Sequence, residues 1–279
     1  MSEFTQSLSQ TMSELGSAFG SWRGQVFGLA KNDLSKKTKK SALGWFWLFF
    51  QPMVYIVCFW FAIYIGIKSA KNGLDASHFM LWLAAGVIPW WFMRGSLNSA
   101  PNALNAYSYL ITKLKFPVAL IPVFTELSQF LLQIALTALL FIGYLAMGGQ
   151  INIYLLQLPL IMLLMFVFFT GYSMLVSPIC AMSEDMAQFL KALVTPIFWL
   201  SGILFDTTTI ENPAVQFALK LDPVSFFATS YRKVLGGVDQ GWFWDDPEFL
   251  AFGLVIIVVT CVLGVLVFSR LRKEVADVL

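Results

Sequence analysis

Apolar runs of about 20 residues recur along the chain between positions 43 and 271, and most charged residues fall between these runs. A helix of that length crosses the hydrocarbon core of a bilayer, which is ~30 Å thick. The pattern therefore predicts an all-α membrane protein with six transmembrane helices. The predicted spans are residues 43–67, 79–97, 116–147, 151–182, 186–204 and 249–271.

The amino-acid composition agrees with a membrane protein and argues against several other classes of protein. Hydrophobic residues make up 58% of the chain and the mean hydropathy is +0.73, well above the values of soluble domains. A net charge of +2 gives no reason to expect a nucleic-acid partner, so membrane lipids are the expected surroundings. One histidine and three well-separated cysteines predict neither a disulfide framework nor a metal site. Phosphate-loop and hydrolase motifs are lacking, so no nucleotide site or enzyme activity is expected in this chain.

The distribution of lysine and arginine predicts the orientation. With six crossings, most basic residues lie on one side and acidic residues outnumber bases on the other. The positive-inside rule then puts both termini in the cytoplasm, as does the lack of an apolar signal segment at the start. The expected location is the plasma or inner membrane. The basic residues assigned to the cytoplasm are Arg23, Lys31, Lys36, Lys37, Lys39, Lys40, Arg94, Lys113, Lys115, Lys191, Arg270, Arg272 and Lys273, whereas Lys68, Lys71, Lys220, Arg232 and Lys233 face outward.

Three segments differ from simple spans. The first segment is the predicted cytoplasmic N-terminal region, residues 1–42. Its positions 22–40 mix apolar and basic residues, as in an amphipathic helix that lies at the membrane interface. Glycines at positions 16, 20, 24 and 28 either form a stripe for close helix packing or leave the start of the chain frayed. Residues 98–115 are polar and form either a short cytoplasmic helix beginning near Pro101 or a solvated linker. Residues 206–248 contain apolar patches too short to span, which predicts re-entrant helices on the outer side with a turn at Asp222 and Pro223. Residues 43–271 form the membrane domain and residues 272–279 a cytoplasmic tail.

Glu126 is the only acid well inside a predicted span. A carboxylate at that depth needs a partner, protonation or a water-filled cavity, so Glu126 is either functional or a structural contact. Arg94, near the end of the preceding span, and Gln129 are the expected structural partners.

Aromatic residues are abundant within and near the spans. Most aromatics near span ends belong to interfacial belts, but an aromatic-lined passage would also let sugar rings slide along it, because their apolar C–H faces stack on aromatic rings. The candidate passage residues are Trp45, Phe46, Trp90, Trp91, Phe92, Phe198 and Trp199.

Several stretches, in order, resemble one family. They are residues 41–47 with Gln51 and Pro52, residues 90–92, residues 98–105 with 111–113 and 116–117, and residues 221–223 with Tyr231, Arg232, Gly236 and Gly237. Together they resemble the permease subunits of ABC-2 type exporters of the polysaccharide branch, which handles teichoic acid, O-antigen and capsule. The resemblance covers nearly the whole chain.

That resemblance implies a homodimer of permease subunits bound to two copies of a separate ABC ATPase, which holds ATP and Mg while this chain carries no cofactor. The implied substrate is a glycan on a polyprenyl diphosphate carrier. The amphipathic helix would grip the ATPase, residues 98–115 would be the coupling helix, and residues 215–235 the re-entrant pair. The candidate coupling residues are Arg23, Lys31, Asn98, Asn102, Asn105, Lys113 and Lys115, and the outer-side candidates are Asp222 and Arg232.

Other functions remain open at this point. A permease of the same class could export a drug or a simple lipid. A membrane-embedded enzyme acting on lipid intermediates would need a catalytic carboxylate or a histidine cluster facing the headgroups, for which the spans offer only Glu126. A structural membrane scaffold without turnover is the third alternative.

Overall fold

A computed structural model describes residues 2–39, 43–66, 75–114, 116–237 and 240–278, and all regular structure in these ranges is helical. Lys40, Lys68, Lys71 and Lys115, which entered the predictions above, lie outside the described residues. The helices are α1 (Ser2–Phe19), α2 (Arg23–Lys36), α3 (Phe46–Trp60), α4 (Ala76–Ser99), α5 (Ala103–Ala106), α6 (Ser108–Leu114), α7 (Leu120–Ala146), α8 (Leu158–Met182), α9 (Glu184–Leu200), α10 (Pro213–Lys220), α11 (Pro223–Leu235) and α12 (Pro247–Val278). Short 3₁₀ turns precede α5, α8 and α10, and a π-helical turn, Phe61–Gly66, extends α3.

Among the described residues, five stretches are long and apolar enough to cross a membrane: Phe46–Gly66, Ala76–Leu114, Leu120–Ala146, Ile153–Met182 and Pro247–Val275. They match five of the six predicted spans. The remaining one, residues 186–204, falls on α9, whose 17 residues extend only about 25 Å. Six crossings therefore stay a prediction, while five long apolar helices are a property of the fold.

The central helix of the bundle is α4. All of its residues from Leu81 to Trp90 are buried, and it packs against α3, α7, α9 and α11. Close packing also joins α8 to α12, where a Cβ on Gly171 would lie 2.8 Å from Cα of Cys261 and a Cβ on Gly264 would collide with the Gly171 carbonyl. Small residues at such crossings let helix backbones approach closely, as in other membrane bundles.

The first helix is attached to the last one. Arg272 of α12 donates a 2.7 Å hydrogen bond to Glu14 and a 3.2 Å hydrogen bond to Thr11, and both acceptors lie on α1. Nothing in the described chain packs on the predicted glycine stripe, because α1 ends at Phe19 and no atom lies within 4 Å of a Cβ placed on Gly16. The same holds for Gly24 and Gly28.

The predicted amphipathic segment forms α2. Its buried face carries Val26, Ala30 and Leu34 at i, i+4 spacing and packs against α7. At the end of this face, the Asp33 carboxylate accepts a hydrogen bond from the Tyr107 hydroxyl, which follows α5, and a 2.6 Å hydrogen bond from Ser128 of α7. Asp33 thus links the amphipathic helix to both the 98–115 segment and the bundle.

Lys37 completes this contact from the next turn. Its ammonium lies 3.8 Å from the Asp33 carboxylate. Burial lowers the pKa of Lys37 from its ordinary value, and the nearby negative charge of Asp33 offsets part of that change.

The Asp33–Tyr107 contact can be measured by a double-mutant cycle. We expect Asp33→Asn and Tyr107→Phe to be non-additive by about 1–2 kcal/mol in unfolding free energy, because each variant removes the same charge-assisted hydrogen bond. Chemical unfolding of the purified chain in detergent supplies the four values. Tyr109→Phe, on an exposed neighbouring tyrosine, should be additive with Asp33→Asn. Additivity in both cycles would show that the contact contributes nothing.

The segment 206–248, predicted to lie on the outer side, contains two short helices, α10 and α11. Asp222 caps α11 by accepting hydrogen bonds from the backbone N–H groups of Val224 (3.1 Å) and Ser225 (2.9 Å), and Pro223 occupies the first turn. The sequence-predicted turn between the two helices is confirmed at these residues. With 8 and 13 residues, both helices are shorter than a span requires.

Arg232 fixes α11 to its neighbours. Its guanidinium donates to the carbonyl oxygens of Gly202 (2.6 Å), Ile203 and Trp82 (3.4 Å) and lies 3.6 Å from the Trp82 ring centre. A Cβ on Gly86 would lie 2.6 Å from this guanidinium, so glycine there makes room for it. Only 7% of Arg232 is exposed, which favours a structural role over contact with an outer-side ligand.

Candidate functional site: an aromatic surface on α3, α4 and α9

Five aromatic side chains from three helices meet in one patch, which we call the aromatic surface: Tyr55 and Phe59 of α3, Trp91 of α4, and Phe198 and Trp199 of α9. Ring centres are 5.8 Å apart for Tyr55 and Trp91, 5.6 Å for Tyr55 and Phe198, and 5.9 Å for Phe59 and Trp199. The spacing of Tyr55 and Phe59, one helical turn apart, aims both rings at the same neighbour. The patch is therefore continuous across α3, α4 and α9.

The aromatic surface is partly open. Trp199 is 57% exposed, Tyr55, Phe59 and Trp91 are half-buried, and Phe198 is buried beneath them. Aromatic faces carry partial negative charge and attract polarised C–H groups, so such a patch can hold sugar rings weakly and without fixed hydrogen bonds. Weak binding of this kind suits a sugar chain that slides along the aromatic surface.

The predicted passage aromatics separate into four groups. Trp91, Phe198 and Trp199 belong to the aromatic surface, whereas Trp90 is 1% exposed and packs beneath it against Phe198. Phe92 is buried on another side of α4, with its ring against Phe130 and Phe169. Trp45 and Phe46 lie at the start of α3, with the Phe46 ring stacked on Phe50 at 4.8 Å. The sequence interpretation missed Tyr55 and Phe59, although their i, i+4 spacing in the first span was visible.

Arg94 lies beside the aromatic surface and not beside Glu126. Its guanidinium carbon is 5.2 Å from the Trp91 ring centre and the side chain is exposed. Glu126 is fully buried and accepts a 2.5 Å hydrogen bond from Ser96. The expected pairing of Glu126 with Arg94 is wrong because positions 94 and 96 project from different faces of α4.

Gln129 does not pair with Glu126 either, since its amide donates to Ser99 at 3.5 Å. The carboxyl group of Glu126 instead faces hydroxyls on two neighbouring helices, Ser96 of α4 and Ser173 of α8. Its Oε1 atom has no hydrogen-bond partner among the described residues. This arrangement is a buried polar contact between α4, α7 and α8, with the charged groups of Asp33 and Lys37 close enough to act on Glu126.

The polar 98–115 segment is helical through the 3₁₀ turn Ala100–Asn102, α5 and α6, and Pro101 lies in its first turn. The helix is therefore confirmed over the solvated linker, and its cytoplasmic location stays a prediction. Asn98, Asn102, Asn105 and Lys113 are exposed. Lys115 lies outside the described residues.

Asn102 and Asn105 line a cavity of about 360 Å³ whose other wall comes from α9. Glu184, Gln188 and Lys191 project into it from the first turns of that helix. Polar side chains therefore surround the space between the 98–115 segment and α9, at the opposite end of α9 from the aromatic surface.

Comparison with known proteins agrees with this architecture. Residues 24–235 match the family described as ABC-2 type transporter, and the chain belongs to that family. With its five long apolar helices, it is a multi-pass membrane protein of a transport family.

The relatives share one description. An O-antigen export system permease protein RfbA of Myxococcus xanthus is 23% identical over 217 residues, which cover 76% of this chain and 80% of that protein. A protein of the same description from Klebsiella pneumoniae is 22% identical over 257 residues, covering 90% of this chain and 93% of the relative. A second Klebsiella pneumoniae protein is 21% identical over 255 residues.

Proposed function

We propose that this chain is the membrane subunit of an ATP-driven exporter that moves a polysaccharide from the cytoplasmic to the outer side of the membrane. The observation that carries the proposal is the match along 90% of the chain to a relative described as an O-antigen export permease. The substrate we propose is a glycan of teichoic acid or O-antigen type carried on polyprenyl diphosphate.

The aromatic surface supports a glycan as the exported molecule. Its exposed and half-buried rings lie within the membrane domain, where a passage for sugars must exclude lipid without binding each sugar tightly. Two copies of the chain would bring two such surfaces together and enclose the glycan between them. A homodimer is therefore part of the proposal.

Energy would come from a partner, since this sequence contains no phosphate loop. In the proposed complex, two ABC ATPase subunits bind ATP and Mg and contact the exposed residues Arg23 and Lys31 of α2 and Lys113 of α6. The Asp33 contact with Tyr107 and Ser128 would make α2, the 98–115 segment and α7 move as one body. Closure of the ATPases would then shift the bundle.

In this arrangement α9 supplies a sixth crossing together with the turn that follows it, and both termini lie in the cytoplasm. The attachment of α1 to α12 through Arg272 and Glu14 supports one side for the two ends, because the first and last helices share an ion pair there.

Stimulation of ATP hydrolysis tests the proposal. The permease and its ATPase, purified as a complex and placed in lipid nanodiscs, should hydrolyse ATP several-fold faster with polyprenyl-diphosphate-linked glycan than without it. A phospholipid or a hydrophobic drug at the same concentration is the matched control and should have little effect. Stimulation by the phospholipid or drug alone would instead identify an exporter of that class of molecule.

A further inference from the structure

A stripe of exposed polar side chains begins in the last turns of α4 and continues into the 98–115 segment. Between Phe79 and Leu97, Arg94 is the only exposed residue. Trp91, Arg94 and Asn98 follow at intervals of three and four residues and therefore share one face. The side-chain amide of Asn98 donates a 2.7 Å hydrogen bond to the Arg94 carbonyl, and exposed asparagines continue the stripe at positions 102 and 105.

The facing helix, α9, carries a matching stripe. After Asp185, all of its polar side chains lie at one set of positions, Gln188, Lys191 and Thr195, which are three and four residues apart. The exposed Trp199 of the aromatic surface follows one turn later. Gln188 and Lys191 line the 360 Å³ cavity, so this face of α9 connects the cavity to the aromatic surface.

The two stripes lie opposite each other. At one end, the Trp90 ring of α4 is 5.4 Å from the Phe198 ring of α9. At the other end, Asn102 and Lys191 line the same cavity, so the segments run antiparallel. Arg94 is one turn, about 5 Å, from Trp90 toward the cavity, which puts it level with the turn of α9 between Lys191 and Phe198.

The two facing stripes line a path from the 360 Å³ cavity to the aromatic surface, which we call the track. Beyond the cavity, the charged side chains on this track are basic. Neither Arg94 nor Lys191 forms an ion pair with another described residue. Among the described residues, the one acid that lines the cavity with Lys191 is Glu184, in the first turn of α9. An exposed arginine within a membrane-spanning helix is costly unless an anion or water accompanies it, and lysine and arginine on facing helices favour a phosphate group.

We propose that Lys191 and Arg94 bind the diphosphate group of the lipid-linked glycan as it moves from the cytoplasmic cavity to the aromatic surface. This inference rests on the proposed function. Lys191 supplies a mobile point charge at the cavity, and Arg94 supplies a planar set of donors that fits phosphate oxygens. With the diphosphate held at Arg94, the first sugars lie next to Trp91 and the rest of the aromatic surface.

Binding of polyprenyl diphosphate to the permease–ATPase complex tests this proposal. We expect Arg94→Gln and Lys191→Gln each to weaken the affinity about tenfold, because each removes a charge-assisted contact with phosphate. Arg94→Lys should restore part of the loss. Arg270→Gln changes an exposed arginine at the end of α12, away from the track, and should leave the affinity unchanged.

Two further ligands identify what is recognised. Polyprenol, which lacks phosphate, should bind equally well to the wild type and to both variants, and inorganic diphosphate should compete only weakly. If the variants lost polyprenol affinity as much as polyprenyl diphosphate affinity, a charge-specific role for Arg94 and Lys191 would be overturned. If inorganic diphosphate competed as strongly as polyprenyl diphosphate, the site would not be specific for a lipid-linked ligand.

Other outcomes separate this inference from the proposed function. Unchanged affinity in both variants overturns the phosphate site, while stimulation of ATP hydrolysis by the lipid-linked glycan would still support export. A change in the oligomeric mass of the Arg94→Gln complex, measured by light scattering, would show that the stripe is a contact between copies of the chain and not a ligand track. If the lipid-linked glycan failed to stimulate ATP hydrolysis by the wild-type complex, the proposed export function itself would be contradicted.

Discussion

Replacing Trp91 and Trp199 together by alanine is expected to reduce glycan export about tenfold while ATP hydrolysis and complex assembly are retained. Both rings belong to the open part of the aromatic surface, one on α4 and one on α9. Each aromatic contact contributes about 0.5–1.5 kcal/mol beyond its buried area, so losing two slows passage by roughly tenfold. Export into proteoliposomes and ATP hydrolysis by the same sample provide the two readouts.

Two single substitutions serve as controls for this result. Trp244→Ala removes an exposed tryptophan that stacks on Trp242 outside the aromatic surface, so export should continue. Trp90→Ala removes a ring buried beneath the surface and should lower stability before it affects passage. Normal export by the Trp91 and Trp199 double variant would remove the aromatic surface from the mechanism.

Arg232→Ala is expected to destabilise the chain by about 3 kcal/mol or more, because it leaves several buried carbonyl oxygens without their charged donor and opens a gap beside Trp82. The midpoint of thermal unfolding in detergent, together with the yield of membrane-inserted protein, measures the effect. We expect a clear fall in both.

The neighbouring residue gives a matched control. Lys233→Ala removes a cation from the same turn of α11, but Lys233 is only half-buried and should cost little. If Arg232→Ala unfolded at the temperature of Lys233→Ala, the contacts of Arg232 with α4 and the end of α9 would carry no stability.

The sequence predicted features that depend on local composition. Five spans followed from the length of their apolar runs, because the bilayer imposes that length on any helix that crosses it. The cap of α11 followed from Asp222 and Pro223, and the helical start of the 98–115 segment from Pro101, because these residue types stabilise a helix N-terminus wherever they occur.

Features that depend on packing could not be read in the same way. Within a membrane, lipid-facing and buried faces are both apolar, so hydrophobic periodicity does not separate the buried Trp90 from the half-buried Trp91. The partner of Glu126 depends on which face of α4 meets α7. The position of Arg94 near the end of the preceding span suggested it as the partner, where the structure has Ser96. The buried contacts of Arg232 reach carbonyls about 30 residues or more away along the chain, beyond any local pattern.

Transport in inverted proteoliposomes tests the central claim most directly. Vesicles containing the complex, with the ATPase side outward, would receive a radiolabelled polyprenyl-diphosphate-linked glycan in the outer leaflet, and protection of the label from an added glycosidase would report its passage. The account predicts that protected label accumulates only with ATP and Mg, and only when both subunits are present. Passage at the same rate without ATP, or ATP hydrolysis stimulated by the glycan without any protected label, would contradict it.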